Sequence, residues 1–456
     1  MQATALILAA GGGTRMRSGM PKVAFDMLGK PLVRWVVDAA RGAGCSDTIV
    51  VLGHGRELVE PIVSDTTIVY QDELLGTGHA VMMTADELER RGGVVVVLSG
   101  DSPLIRPETL EKMMAVRAEH DASAVVLTFT PSDPFGYGRI VRGENGGVVR
   151  IVEQRDCTDE EDAIGECNSG MYCFKVEDLL ACLERLGNDN AQNEYYLTDV
   201  IGLLVEDGKP VRGVIVDDPA ETHGINTRVQ LAEATRRMQG RINTQLMLDG
   251  VTMIDPTLVW VGPDVEVARD VELWPMTFLM GSTSVGSGTR VGPNTRVTDS
   301  TIGEGCVIDE SVVIESTIDN GVSCGPRAYL RPGAHLCENA KAGTHVEIKK
   351  STIGKGSKVP HLSYIGDTVI GEGVNIGAGS ITCNYDGKAK HKTVIGDRTF
   401  VGSDTMMVAP VEIGADALIA AGSVITRDVP DGALGVARER QRNVEGYTAK
   451  KNQDGE

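Results

Sequence analysis

Ser284-Val285-Gly286-Ser287-Gly288-Thr289-Arg290-Val291-Gly292-Pro293-Asn294-Thr295-Arg296-Val297 places one aliphatic side chain at every sixth residue, at Val285, Val291 and Val297. The spacing runs back without a miss through Leu279, Leu273, Val267 and Val261. A helix face repeats at about 3.6 residues and a half-buried strand at about 2, so neither produces a period of six. A parallel β-helix of triangular section does, because each side of the triangle turns one residue inward to stack on the coil beneath. After Val297 the register resets by a residue and resumes at Ile302, Ile308 and Ile314. It returns at Leu330, Leu336, Ala342 and Ile348, at Ile353, Val359 and Ile365, and at Ile370 and Ile376. A last ladder comprises Ile395, Val401, Met407, Ile413, Ile419 and Ile425. Columns of small aliphatic residues with tight corners also account for 55 glycines and an aromatic content of only 4%. The insertion Thr382–Thr393 breaks the ladder between strong repeats, which marks it as a functional loop.

Ahead of the ladder the period differs. Leu6–Ala10, Thr48–Leu52, Val94–Leu98 and Ala124–Thr130 read as buried parallel strands, and Pro31–Arg41, Gly78–Arg90 and Pro107–His120 as crossover helices. Such alternation predicts an α/β, doubly wound, Rossmann-like open sheet with ligands at the carboxyl ends of its strands, where Gly11–Arg15 and Ser99–Ser102 fall. Between the two patterns, residues 229–248 read as one amphipathic helix with Leu231, Ala234, Met238, Ile242 and Leu246 on a stripe. The expected organisation is therefore an α/β domain over residues 1–228, a helical linker over 229–250, a β-helix over 251–438 and a polar tail over 439–456.

A net charge of −20 argues against wrapping nucleic acid, which needs a basic face. Local Arg and Lys can still reverse the field in a pocket for a phosphorylated small molecule. Nine scattered cysteines without a CxxC pair read as reduced thiols of a cytoplasmic protein. The opening residues 1–13 read as a buried first strand rather than a signal peptide, and no apolar run reaches the length of a membrane span.

Leu8-Ala9-Ala10-Gly11-Gly12-Gly13-Thr14-Arg15-Met16 is a Gly-rich strand-to-loop turn. Its backbone N–H groups can approach phosphate oxygens closely, and Arg15 adds a forked charge. No Gly-Lys-Ser/Thr closes it as a Walker A loop, and Met16 stands where a dinucleotide fingerprint needs its third glycine. Together with Pro21-Lys22, Gly76-Thr77-Gly78-His79-Ala80 and Leu98-Ser99-Gly100-Asp101, the turn resembles the signature of sugar-phosphate nucleotidyltransferases. Gly136-Tyr137-Gly138-Arg139-Ile140, Ile151-Val152-Glu153-Gln154, Asn168-Ser169-Gly170 and Gly224-Ile225-Asn226-Thr227-Arg228 follow in order. With the hexapeptide half, these motifs resemble the bacterial bifunctional N-acetylglucosamine-1-phosphate uridyltransferase/glucosamine-1-phosphate acetyltransferase family over Ala5 to Arg438.

The resemblance implies a first site in which Leu8, Ala9, Ala10, Gly11, Arg15, Lys22, Gln71, Gly76, Thr77, Ser99 and Asp101 bind the uridine nucleotide. Gly138, Glu153, Asn168 and Asn226 would bind the acetylated sugar phosphate, and Asp101 with Asn226 would hold Mg²⁺. Ser99 departs from members that carry Tyr there. In the second half, acyl transfer from a thioester to an amine requires the amine to lose a proton, a task suited to histidine near neutrality. The segment Lys358-Val359-Pro360-His361-Leu362-Ser363-Tyr364 resembles the acetyltransferase motif and implies His361 as general base. Arg331, Lys349, Tyr364 and Asn375 would bind glucosamine-1-phosphate, and Ala378, Asn384, Tyr385, Ser403, Ala421 and Arg438 acetyl-CoA. A left-handed β-helix of this sort resembles a homotrimer with closed threefold symmetry, its coenzyme lying in a groove between prisms. His335, His345 and His391 match no motif and read as surface residues, as do Lys350, Lys355 and Lys358. The competing readings are a single-activity nucleotidyltransferase with a structural β-helix and a non-enzymatic scaffold of the same layout. His361, Asn384-Tyr385 and the length of the ladder weigh against the first, and the intact Arg15, Lys22 and Asp101 against the second.

Overall fold

The computed structural model describes residues 2–453 apart from 145 and 191, and the chain divides into two compact units, Met1–Met238 and Gln239–Glu456. In the first unit the central sheet has the spatial order Val211–Ile215, Ala124–Phe129, Cys167–Lys175, Val94–Ser99, Ala3–Ala9, Asp47–Leu52 and Thr67–Tyr70. All neighbours are parallel except Cys167–Lys175, which runs antiparallel between Ala124–Phe129 and Val94–Ser99. The middle strands are covered on both faces, so Ala3–Ala9, Val94–Ser99 and Ala124–Phe129 are buried and apolar almost throughout. Ala5, Ile7, Val96 and Leu98 meet Val33, Val36, Val37, Leu110 and Met113 on one side. Leu6, Val95 and Val97 meet Ala80, Val81, Leu88, Val200 and Leu204 on the other.

The helix anticipated over Gly78–Arg90 is two helices, Thr77–Met82 and Ala85–Arg91. The break lies at Thr84, whose buried hydroxyl donates to the carbonyl of Val81 at 2.7 Å and so competes with the helical ladder. A continuous helix, Arg228–Leu248, carries the chain across the division between the units. Its stripe buries Ala234 and Met238 but also Gln239 and Asn243, two polar residues that the apolar pattern does not reveal. The Gln239 amide donates to the carbonyls of Val259 and Thr257 at 2.6 and 3.0 Å, and the Asn243 amide to those of Pro256 and Val259 at 2.7 and 2.8 Å. These bonds satisfy the open carbonyls of the first coil.

The second unit is a parallel β-helix with three sheets of 11, 10 and 9 short strands, each strand paired with its equivalent one coil on. The six-residue ladder points inward, from Val261 through Leu279, Val297, Leu330 and Ile365 to Ile425, all buried. Ile314 is a correction: the inward residue there is Val313, in register with Val297, while Ile314 is half-buried. Two successive sides have five residues each, which moves the inward position to Val313 and then Ile318. In the insertion the ladder passes through Thr382, buried and paired with Met407.

Candidate functional sites

The first site lies at the carboxyl ends of the strands Ala3–Ala9 and Val94–Ser99, where Leu8 pairs with Ser99 and brings the Gly-rich turn beside Gly100-Asp101. A cavity of about 370 Å³ is lined by Leu8, Ala9, Ala10, Gly11, Lys22, Gln71, Gly76, Thr77 and Ser99, together with Ser169, Gly170 and Glu194. Gly13 has a φ of 62°, and a Cβ there would lie 2.7 Å from Cβ of Lys22, so the turn packs directly on the lysine. Gly76, at φ 107°, sits where a Cβ would lie 2.6 Å from the Tyr195 carbonyl oxygen. Its own carbonyl accepts from the buried Gln71 amide at 3.2 Å.

A second hollow of about 490 Å³ shares Lys22 and Ser99 and adds Arg15, Asp101, Gly136, Tyr137, Gly224 and Asn226. At the junction of the two, the Lys22 ammonium forms an ion pair with the buried Asp101 carboxylate and donates to Oδ1 of Asn226 at 3.1 Å. Ser99 donates its hydroxyl to the other Asp101 oxygen at 2.7 Å, and the Ile225 amide donates to the Asp101 carbonyl at 2.8 Å. Two hard oxygen donors from segments far apart in sequence thus converge on one cation, and this donor set suits a hard divalent ion. Gln230 receives the amides of Asn226 and Thr227 at 2.8 and 3.0 Å, which holds Asn226 at the start of the long helix.

Asn168 donates to the Tyr172 hydroxyl at 2.8 Å, and its backbone amide to the Gly138 carbonyl at 2.8 Å. Glu153 opens on a separate hollow of about 510 Å³ with Thr198 and Asp199. Burial raises its pKa, and the Thr198 hydroxyl, which donates to it at 3.3 Å, pulls the other way. Arg139, within the Gly136–Ile140 motif, is fully buried. Its guanidinium donates to the Pro134 carbonyl and to Gln154, both at 2.8 Å, and pairs with Asp162 at 2.9 Å. It fixes the Gly136-Tyr137 loop, a positioning task that the motif alone does not disclose.

The second site lies on the β-helix around one corner. His361 ends the strand Lys358–His361 with its side chain exposed. The corner is set by the Ser363 hydroxyl donating to the His361 carbonyl at 2.7 Å and by Leu362 at φ 46°. On the following side, Tyr364 stands in register with Glu347, and Lys349 with Gly366. Arg331 pairs with Glu347 at 2.8 Å. The Lys349 ammonium is faced by that of Lys390, which with burial lowers its pKa. Arg331, Lys349 and Lys390 share this patch with the carboxylates of Glu347 and Asp367, and the two facing lysines are the pair that an anion would relieve. Lys390 is a residue the motif reading omitted; it lies in the insertion, paired by an isolated bridge with Tyr385.

Asn384 is buried and donates to Asp367 at 2.5 Å and to the Tyr364 hydroxyl at 3.5 Å. Asn375 pairs in register with Lys358, on the side that carries His361. Ile376, Val401 and Ile419 stack in one column, so Ala378, Ser403 and Ala421, two residues beyond each, form a parallel edge. Arg438 reaches this edge, its Cδ lying 3.9 Å from where a Cβ on Gly422 would stand. Tyr385, Ser403, Ala421 and Arg438 are all exposed.

Residues 5–189 match the family described as MobA-like NTP transferase domain, and residues 392–427 match bacterial transferase hexapeptide (six repeats). Over nearly the whole chain, the protein is similar to proteins named bifunctional protein GlmU. That of Trichlorobacter lovleyi is 48% identical over 455 residues, covering 99% of both chains. That of Clostridium novyi is 47% identical over 453 residues, again covering 99% of both. That of Carboxydothermus hydrogenoformans is 49% identical over 443 residues, covering 97% of this chain and 99% of its own.

Proposed function

The chain belongs to the bifunctional GlmU family, and from that premise we propose how its two sites divide the work. The protein makes UDP-N-acetylglucosamine in two transfers. An acetyl group passes from acetyl-CoA to glucosamine-1-phosphate, and a uridylyl group then passes from UTP to N-acetylglucosamine-1-phosphate with release of pyrophosphate.

The uridylyl transfer belongs to the first site, and the convergence of Asp101 and Asn226 on the Lys22 ammonium is the observation that carries this assignment. The cavity behind Leu8–Gly11, Gln71 and Gly76-Thr77 receives the nucleotide. Gly138, Glu153 and Asn168 hold the acetylated sugar with its phosphate directed at the α-phosphorus. Arg15 and Lys22 face the phosphates and offset the charge that develops as pyrophosphate leaves. We assign Asp101 and Asn226 as the holders of Mg²⁺, which when bound neutralises polyphosphate charge.

The acetyl transfer belongs to the corner of the β-helix. Arg331, Lys349 and Lys390 bind the sugar phosphate, whose negative charge relieves the crowding of the two lysines. Tyr364 and Asn375 orient the sugar. His361 takes the proton from the amine as nitrogen attacks the thioester carbonyl, and the coenzyme leaves as a thiol. Ala378, Ser403, Ala421 and Arg438 supply the edge along which acetyl-CoA lies, with Asn384 and Tyr385 at its reacting end. Because His361, Tyr385 and Arg438 are open on a single prism, and Leu362 beside the histidine is 63% exposed, we assign a homotrimer in which neighbouring prisms complete the site. The free thiols fit a cytoplasmic location.

Incubating the purified protein with acetyl-CoA, glucosamine-1-phosphate, UTP and Mg²⁺ should yield free CoA, pyrophosphate and UDP-N-acetylglucosamine in equal amounts. A chelator should stop the second transfer alone. Pyrophosphate release that depends on supplied N-acetylglucosamine-1-phosphate, with no CoA release, would remove the acetyl assignment.

A further inference from the structure

On the β-helix side formed by the strands Thr317–Ile318, His335–Leu336 and Thr352–Ile353, the residue after each inward aliphatic forms a column of its own. In chain order it reads Ala268, Gly286, Gly303, Asp319, Cys337, Gly354, Gly371, Gly396 and Gly414. Glycine prevails for a steric reason. A Cβ on Gly303 would lie 2.4 Å from Oδ1 of Asn320, and one on Gly354 would lie 2.2 Å from the Gly371 carbonyl oxygen. Functional side chains interrupt the column at two consecutive coils, Asp319 and Cys337. Ile318 and Leu336 are in register, and the Asp319 amide donates to the Leu336 carbonyl at 2.9 Å, so the two stand directly one above the other.

Both meet a third ligand type. His335, two residues before Cys337 and on the same outward face, brings Nε2 to 3.1 Å from each Asp319 carboxylate oxygen. One ligand atom from each of Asp319, His335 and Cys337 lies within 4.8 Å of the others. With Zn–N near 2.0–2.1 Å and Zn–S near 2.3 Å, tetrahedral ligand atoms stand roughly 3.3–3.7 Å apart, a separation within reach of side-chain rotation. All three residues retain solvent access, beside a groove of about 410 Å³ lined by Thr317, Asp319 and Glu338.

We propose that Asp319, His335 and Cys337 form a binding site for a thiophilic divalent cation of the zinc class, distinct from both transfer sites. An oxygen, an imidazole nitrogen and a sulfur select borderline metals over Mg²⁺ or Ca²⁺. Three protein ligands leave the fourth position to solvent on the groove side. Because Asp319 and His335–Cys337 belong to successive coils, the ion clamps one coil to the next.

Cobalt(II) tests this in the intact protein with excess Mg²⁺ present, because a thiolate-to-cobalt charge-transfer band reports a sulfur ligand directly. One equivalent per chain should produce the band, and zinc should displace it. Cys337→Ala, which restores a residue type already present in the column, should abolish the band. His335→Ala should weaken cobalt binding about 10²-fold, the loss of one of three ligands. Zinc should raise the thermal midpoint of the wild type by roughly 5 °C or more and leave that of Cys337→Ala unmoved. Both transfer rates of each variant serve as the check on folding. Absence of a thiolate band, or a band that survives Cys337→Ala in a protein with normal transfer rates, overturns the proposal.

Discussion

Gly366→Ala should disable acetyl transfer through a single methyl group. A Cβ at residue 366 would lie 2.5 Å from the Tyr364 hydroxyl oxygen, 2.8 Å from the Tyr364 ring carbon Cε1 and 2.7 Å from the Asn384 amide nitrogen. Ordinary contact begins at about 3.4 Å, so the Tyr364 hydroxyl must retreat by about 0.9 Å and the ring edge by about 0.6 Å. Asn384 cannot yield easily, being 7% exposed and bonded to Asp367 at 2.5 Å. Displacing a positioning group by about 1 Å costs roughly 10² in rate, and the overpacking itself costs about 1–3 kcal/mol of β-helix stability. Release of CoA thiol, followed at saturating acetyl-CoA, should therefore fall on the order of 100-fold, while uridylyl transfer in the same preparation is unchanged. In a cycle with Tyr364→Phe the two substitutions should be far from additive, since both act through one ring. Acetyl transfer within about threefold of wild type, less than 1 kcal/mol in the barrier, would refute the role given to Tyr364 and Asn384.

Asp101→Asn should lower uridylyl transfer by roughly 10²–10³-fold and weaken its Mg²⁺ dependence, measured by pyrophosphate release, with acetyl transfer intact. His361→Ala should reduce the turnover of acetyl transfer by about 10²–10⁴-fold with little change in KM, as initial-rate kinetics on glucosamine-1-phosphate will show. Glu153→Gln should weaken N-acetylglucosamine-1-phosphate binding yet stabilise the first unit at neutral pH. Burial raises the folded-state pKa of Glu153, so its charge opposes folding above the ordinary glutamate value of about 4.3 and is absent below it; thermal midpoints of variant and wild type should converge as the pH falls to about 4. A fragment ending at residue 238 should retain uridylyl transfer better than one ending at 228, because the shorter one lacks Gln230, which receives the Asn226 amide at 2.8 Å.

The β-helix is legible in the sequence because its core repeats one chemistry at one spacing, so Val285, Val291 and Val297 announce it within a single coil. Legibility fails where geometry departs from the repeat without a change in composition. Val313 and Ile314 are both aliphatic, and only the two five-residue sides settle which faces inward. The antiparallel strand Cys167–Lys175 opens on the polar Asn168-Ser169-Gly170 and is a buried apolar run only over Met171–Phe174, and strand direction leaves no mark on composition. Gln239 and Asn243 read as solvated helix positions until the carbonyls of the first coil claim them. Thr84, similarly, breaks a helix through a hydrogen bond rather than through a helix-breaking residue type.

The two sites differ in the same respect. Asp101 follows the end of the strand Val94–Ser99 and Lys22 opens a short turn after the Gly-rich loop that leaves Ala3–Ala9, so both motifs gather at the carboxyl ends of the strands, where a doubly wound sheet places its ligands. In the β-helix, neighbours in space come from successive coils, and neighbours in sequence look outward in different directions. Lys355 belongs to the same basic run as Lys349 and Lys358, yet it pairs with Glu338 at 2.7 Å, away from the corner. Lys390, in a loop with no motif of its own, is the cation that faces Lys349. Gly366 is one glycine among 55, and its importance lies in the hydroxyl and amide that crowd the space a side chain would take. An acetyl site of this kind is specified by register between coils: a one-residue shift in the side carrying Tyr364 would separate it from Asn384 while leaving every motif residue in the sequence.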